Sequence, residues 1–150
     1  MWDRLIVALG LCVALDAAWT ALPAQPKPEL DYEFFKTRVE PVFLKKRSGH
    51  TRCYVCHGEG SSNAFRLEKL PKGEKFWNEE QSRRNFATVS ALVNPGDAAT
   101  SRLLMQPLAP EAGGNVFHSG GRQFASKTDP DYKLLTEWVS GATLASRPPK

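Results

Sequence analysis

Cysteine is scarce in this chain, with three residues in 150, far below the roughly 8–10% that marks a disulfide-stapled scaffold. Histidine is as rare, at three, and methionine rarer, at two, so any metal chemistry has few side-chain ligands to draw on. The apolar run Leu5 to Leu15 stops at Asp16, well short of the about 20 residues needed to cross a bilayer. Neither charge dominates, with 20 basic residues against 16 acidic. What is present is enough for one domain and a leader: 41% hydrophobic and 10% aromatic residues exclude general disorder, while 11 glycines and 11 prolines imply long ordered loops.

The short apolar run lies behind Arg4 and is followed by small and turn residues ending Ala21-Leu22-Pro23-Ala24. That is the pattern of a secretory signal peptide, expected here as residues 1–24 with cleavage after Ala24. Cys12 makes a poor lipoprotein anchor because the preceding Leu11 is bulky. The expected location is exported, with membrane association only through an uncleaved leader. Removal of residues 1–24 takes away Asp3, Arg4 and Asp16 and leaves 19 basic against 14 acidic residues in the domain 25–150.

Two cysteines remain, three positions apart, in Arg52-Cys53-Tyr54-Val55-Cys56-His57-Gly58. Spare thiols in an oxidising compartment tend to oxidise or mispair, so this pair needs a role. Cys-x-x-Cys-His is the attachment motif of a c-type haem: the thiols of Cys53 and Cys56 join the porphyrin and His57 supplies an axial nitrogen to the iron. A structural zinc site would need four ligands, and His50, His57 and His118 show no such pairing. A thioredoxin-like pair belongs in a strand-helix-strand unit, and the flanks lack strand alternation.

The remaining sequence reads as all-α, with three to five helices and long loops. Tyr32, Phe35, Val39, Val42 and Phe43 have helical spacing between Leu30 and Arg47, with an interruption expected at Pro41. Lys45-Lys46-Arg47 suits a solvated helix end. A helix is expected from Glu79 to Val93, opened by Asn78 and Gln81 as a capping box and closed by Asn94-Pro95-Gly96-Asp97. Asp97 is then expected to cap a short helix through Met105. After the loop 107–128, Asp129-Pro130-Asp131 is a helix start, with Tyr132, Leu135, Trp138, Val139 and Ala142 as the buried stripe.

In this order the motifs resemble small class I cytochrome c domains. Val39-Glu40-Pro41-Val42-Phe43, the Cys-x-x-Cys-His motif, Phe65-Arg66-Leu67-Glu68, Asn94-Pro95-Gly96-Asp97, Ser101-Arg102-Leu103-Leu104 and residues Leu135 to Ala142 are similar to the planctomycete and acidobacterial type. The resemblance covers roughly residues 30–145. It implies a bacterial, periplasmic cytochrome c-like fold around one covalent haem c. Many such domains use a methionine before the last helix as distal ligand. Here Phe117-His118-Ser119-Gly120-Gly121 stands in that place, which makes His118 the expected distal ligand, with Met105 or an open sixth position as alternatives.

The expected function is one-electron transfer by a haem held between His57 and His118, without catalytic residues. Two imidazoles should place the potential below that of a His/Met pair. The basic surplus favours acidic redox partner proteins, within or outside a larger electron-transfer complex, and nucleic acid is a poor partner for such a domain. The alternatives are a haem peroxidase-like or ligand-sensing protein with an open sixth position, and a non-haem interaction domain.

Overall fold

The helical spacing after Leu30 produces a single run, α1 (residues 32–44), opened by the Asp31 side chain accepting from the Phe34 amide. The computed structural model describes residues 26–59 and 62–146; the leader expected at 1–24 lies outside them. Within α1, Phe35–Val39 is π-helical and Glu40–Leu44 returns to α geometry. Pro41 accounts for this, since it has no N–H and its ring crowds the carbonyl four residues back. The wider turn moves bonding to five residues back, as in Glu40 N–H to Phe35 O, and Pro41 then sits at the start of a new α segment, where proline is tolerated. The interruption therefore falls one turn before Pro41. The extra residue in the π turn also brings Phe34, absent from the expected stripe, fully into the core, while Tyr32 is only half-buried.

Cys53 and Tyr54 begin a short turn that continues as α2 (Val55–Glu59), also π-helical. Next comes α3 (Glu79–Ser90), whose capping box is complete: Gln81 N–H donates to Asn78 Oδ1 at 2.9 Å and Asn78 N–H to Gln81 Oε1 at 3.2 Å. The short α4 (Arg102–Met105) has Ser101 as its N-cap. Asp97 does not cap it, contrary to expectation. Its carboxylate instead accepts from the amides of Ala99 and Thr100 and from the Thr100 hydroxyl, because the intervening turn presents those donors first. A 3-10 turn at Pro110–Ala112 precedes α5 (Pro130–Val139), where Asp129 Oδ1 accepts from the amides of Asp131 at 2.9 Å and Tyr132 at 3.3 Å.

The fold is thus all-α among the described residues, with three isolated β-bridges and no strand. None of the described helices is long and apolar enough to cross a membrane. Phe35 joins the layers, with its ring 5.3 Å from Trp138 of α5 and 5.4 Å from Phe86 of α3. Trp138 Nε1–H donates to Asp31 O at 3.0 Å, which satisfies its one polar atom and ties α5 to the start of α1.

Two polar clusters sit among these contacts. Arg47 is not the solvated helix end expected from its sequence. Its guanidinium pairs with Asp129 and Asp131, Nε donates to Gln123 O at 3.0 Å, and the cation lies 4.6 Å over the Phe124 ring. The second cluster surrounds buried Glu40, which accepts from Ser82 Oγ at 2.7 Å and Asn85 Nδ2 at 3.0 Å. Burial pushes its carboxyl up from the ordinary range, against the downward pull of those two bonds.

Arg47→Met should cost about 2 kcal/mol in denaturant unfolding, between the values typical of exposed and buried pairs. An unchanged midpoint would show that the cluster does not hold the two ends together. For Glu40 the sign follows from its raised pKa: its contribution is complete below the unfolded pKa and is lost as pH rises through the folded one. Stability should fall as pH climbs above the ordinary carboxylate range. Glu40→Gln should flatten that slope, since the Ser82 hydroxyl can turn to accept from the new amide; an equally steep slope in the variant would assign it to another group.

Candidate functional site

The turn that starts at Cys53 carries His57 with it, and the following segment fixes the ring. His57 Nδ1 lies 2.8 Å from Phe65 O, and His57 O accepts from Leu67 N–H at 2.9 Å. A carbonyl oxygen can only accept, so Nδ1 carries the hydrogen and the lone pair of the neutral imidazole falls on Nε2. The Phe65 ring packs 4.3 Å from the imidazole and 5.3 Å from Phe43. Burial lowers the His57 pKa, while hydrogen bonds with Phe65 and the Asn63 side chain raise it.

His118 repeats the arrangement from the loop before α5. Its Nδ1 lies 2.7 Å from Gly121 O, which again assigns the hydrogen to Nδ1 and the lone pair to Nε2. Gly121 takes a φ of +80°, which glycine adopts without strain. Gly120 has a different role: a Cβ there would lie 3.2 Å from His118 Cε1 and 3.4 Å from Nε2, close enough that the ring would have to give by a few tenths of an ångström. The two imidazoles stand with centroids 6.3 Å apart and planes within 7° of parallel.

Both rings line one cleft with a cavity volume of about 240 Å³, a little below the about 300–1,000 Å³ of common ligand pockets. Cys53 and Cys56 line it too, and its apolar wall includes Val42, Phe43, Leu92, Leu103, Phe124 and Leu135. The structure therefore brings Cys53, Cys56, His57 and His118 to one cavity. Met105 and His50 are not among its lining residues, although Leu103 of the same short helix as Met105 is.

The thiols are free, with Cys53 half-buried and Cys56 exposed. Burial pushes the Cys53 thiol up to about 11, the opposite of the lowered pKa that makes a redox-active dithiol reactive. Among the described residues no three His, Cys, Asp or Glu side chains gather closely enough to hold a bare metal ion.

Residues missed in the sequence also border the site. Gln123 is 6% exposed and lines the cleft, but a lone glutamine in a Gly-rich loop carries no pattern. Arg47, behind it, had a partial signal in the paired Asp129 and Asp131, whose partner lies too far along the chain to infer. The chain matches no protein-family model, no curated protein and no solved structure.

Gly58, directly after His57, packs against buried Tyr54, and a Cβ there would fall 2.2 Å from Tyr54 Cε2. The Tyr54 hydroxyl accepts from Leu70 N–H at 2.7 Å, so the ring has little freedom to yield. Gly58→Ala should destabilise the chain by about 1–3 kcal/mol, the usual cost of overpacking. An unaltered unfolding midpoint would mean that Tyr54 can move aside.

Proposed function

We propose that this chain is an exported carrier of single electrons that holds one covalently attached haem c, in a domain similar to the small class I cytochromes c. The observation that carries the reading is the His57–His118 pair. The two rings stand with centroids 6.3 Å apart and planes within 7° of parallel, on the cavity that both motif cysteines also line. The Nδ1 bonds to Phe65 O and Gly121 O are the kind of outer contact that orients a metal-bound histidine and raises its basicity. A metal with only these two ligands needs four more donors, and a porphyrin brings its own. The cleft beside Cys53 and Cys56, with its apolar wall, suits such a macrocycle.

A haem held here supplies a one-electron redox centre. The chain does the rest. Cys53 and Cys56 would hold the haem covalently through their thiols, both of which line the cleft. His57 and His118 would hold its iron, which would leave the centre to electron transfer alone. Their two nitrogens favour a lower potential than a His/Met pair would. Apolar side chains limit water and hence the charge reorganisation that accompanies electron transfer.

A redox partner with an acidic face is the favoured partner class. Lys36, Lys45, Arg47, Arg83, Arg84 and Arg122 are engaged in ion pairs with acidic side chains. Arg52 and Arg102, two of the many basic residues outside these pairs, line the cleft, so positive charge is present where a partner would approach. Steering of this kind weakens with salt. Export rests on the leader read in residues 1–24.

Expression of the full chain with a cytochrome c maturation system should yield one haem per chain that stays attached on denaturation, with a low-spin ferric spectrum inert to carbon monoxide once reduced. Cys53→Ala with Cys56→Ala should lose the attachment. His118→Ala should turn the iron high-spin and open it to carbon monoxide, and Met105→Ala should leave the spectrum unchanged. A wild-type chain without attached haem would overturn the reading; loss of the low-spin spectrum in Met105→Ala but not His118→Ala would overturn the ligand assignment.

A further inference from the structure

His118 stands on a loop, and a loop carries an axial ligand only as firmly as its own backbone is held. The imidazole is bonded through Nδ1 to Gly121 O, and a Cβ on Gly120 would crowd its Cε1–Nε2 edge. The peptide carbonyl of Gly120 in turn accepts from Gln123 Nε2 at 3.1 Å. Gln123 is fixed from behind, since its own carbonyl accepts from Arg47 Nε at 3.0 Å, and Arg47 is held by Asp129 and Asp131 at the start of α5. An unbroken series of contacts thus runs from the first turn of α5 to the ring of His118.

The amide of Gln123 is an expensive way to fill space. It is 6% exposed, and its Oε1 is buried without a hydrogen-bond partner. A half-satisfied buried amide is worse for folding than an apolar side chain of the same shape, so packing alone does not account for it. Its Nε2 bond to the Gly120 carbonyl does, because that bond fixes the peptide against which the imidazole rests.

We propose that Gln123 is the positioning residue of the distal ligand, holding the 118–121 loop so that His118 stays on the metal and competes with external ligands. This rests on the haem reading above. The loop is then set by α5 and Arg47 and does not depend on the ligand bond alone to keep its shape.

The test uses the haem-loaded full chain and compares wild type with Gln123→Met, which keeps nearly the same volume and removes the donor. Cyanide binding to the ferric protein reads how readily His118 gives way. The apparent Kd for cyanide should fall by about two- to tenfold, the range that one hydrogen bond commands, with attached haem and helical circular dichroism unchanged. Gln123→Leu, which also removes the donor at similar volume, should shift cyanide affinity in the same direction and decides the matter if Gln123→Met does not fold. A purely structural role would lower the unfolding midpoint and leave cyanide affinity as in wild type; that result in the folded variants overturns the proposal while leaving the haem reading intact. A wild-type chain that carries no haem overturns both, which separates the two failures.

Discussion

Arg47 is the side chain on which the geometry of the cleft depends. All three kinds of guanidinium nitrogen are engaged: the two terminal ones with Asp129 and Asp131, and Nε with the backbone of Gln123. A planar fork can do this where a lysine cannot, since it offers several donors in fixed directions. The consequence is that the segment after α1, the cap of α5 and the loop before α5 share one anchor. Asp129 thereby has two tasks, because the carboxylate that caps α5 also meets the cation. The Phe124 ring under the guanidinium lines the cleft, so the anchor and the apolar wall are adjacent layers.

The two histidines reach similar settings from unrelated surroundings. One lies within α2 against the Phe65 ring; the other sits in a glycine-bearing loop. In each case a backbone carbonyl takes the Nδ1 hydrogen, and the ring planes end within 7° of each other. A side-chain acceptor could rotate away or change charge with pH. A carbonyl does neither, which makes it a stable means of fixing a tautomer.

Much of this was legible in the sequence where the signal is local. Asn78 with Gln81 and Asp129 with Pro130 are cap chemistries that act within four residues, and both helices begin where those residues stand. Boundaries failed where local signals compete: Val93 was expected inside α3, but the helix ends at Ser90, because Asn94-Pro95-Gly96-Asp97 takes the preceding residues into its turn. The π-helical form of α1 was not legible, although Pro41 announced a disturbance, since the choice between a kink and a widened turn depends on packing. Of the candidate site, the Cys-x-x-Cys-His motif and His118 could be named in advance, and the structure places them on one cavity. Arg47 and Gln123 could not, because their meaning comes from partners as many as 84 positions away.

The same distinction explains how residues 62–78, which lack regular structure, orient His57 at all. Backbone groups of this segment find their partners in side chains, one its own and three from elsewhere: Glu68 O in Trp77 Nε1, Leu70 N–H in Tyr54, Lys69 O in Gln81 Nε2, and Glu68 N–H in Asn85 Oδ1. Buried backbone polar groups require such partners, and here α3 supplies several of them. Asn85 reaches further, since its Nδ2 donates to the buried Glu40 carboxyl of α1 while its Oδ1 holds Glu68. One residue before Glu68, Leu67 bonds the His57 carbonyl, and Phe65 receives the imidazole hydrogen. The orientation of the His57 ring is therefore tied to a buried amide and carboxyl on two helices that do not carry the motif. A change at Asn85 should reach His57 through this route even though the two side chains are not bonded to each other.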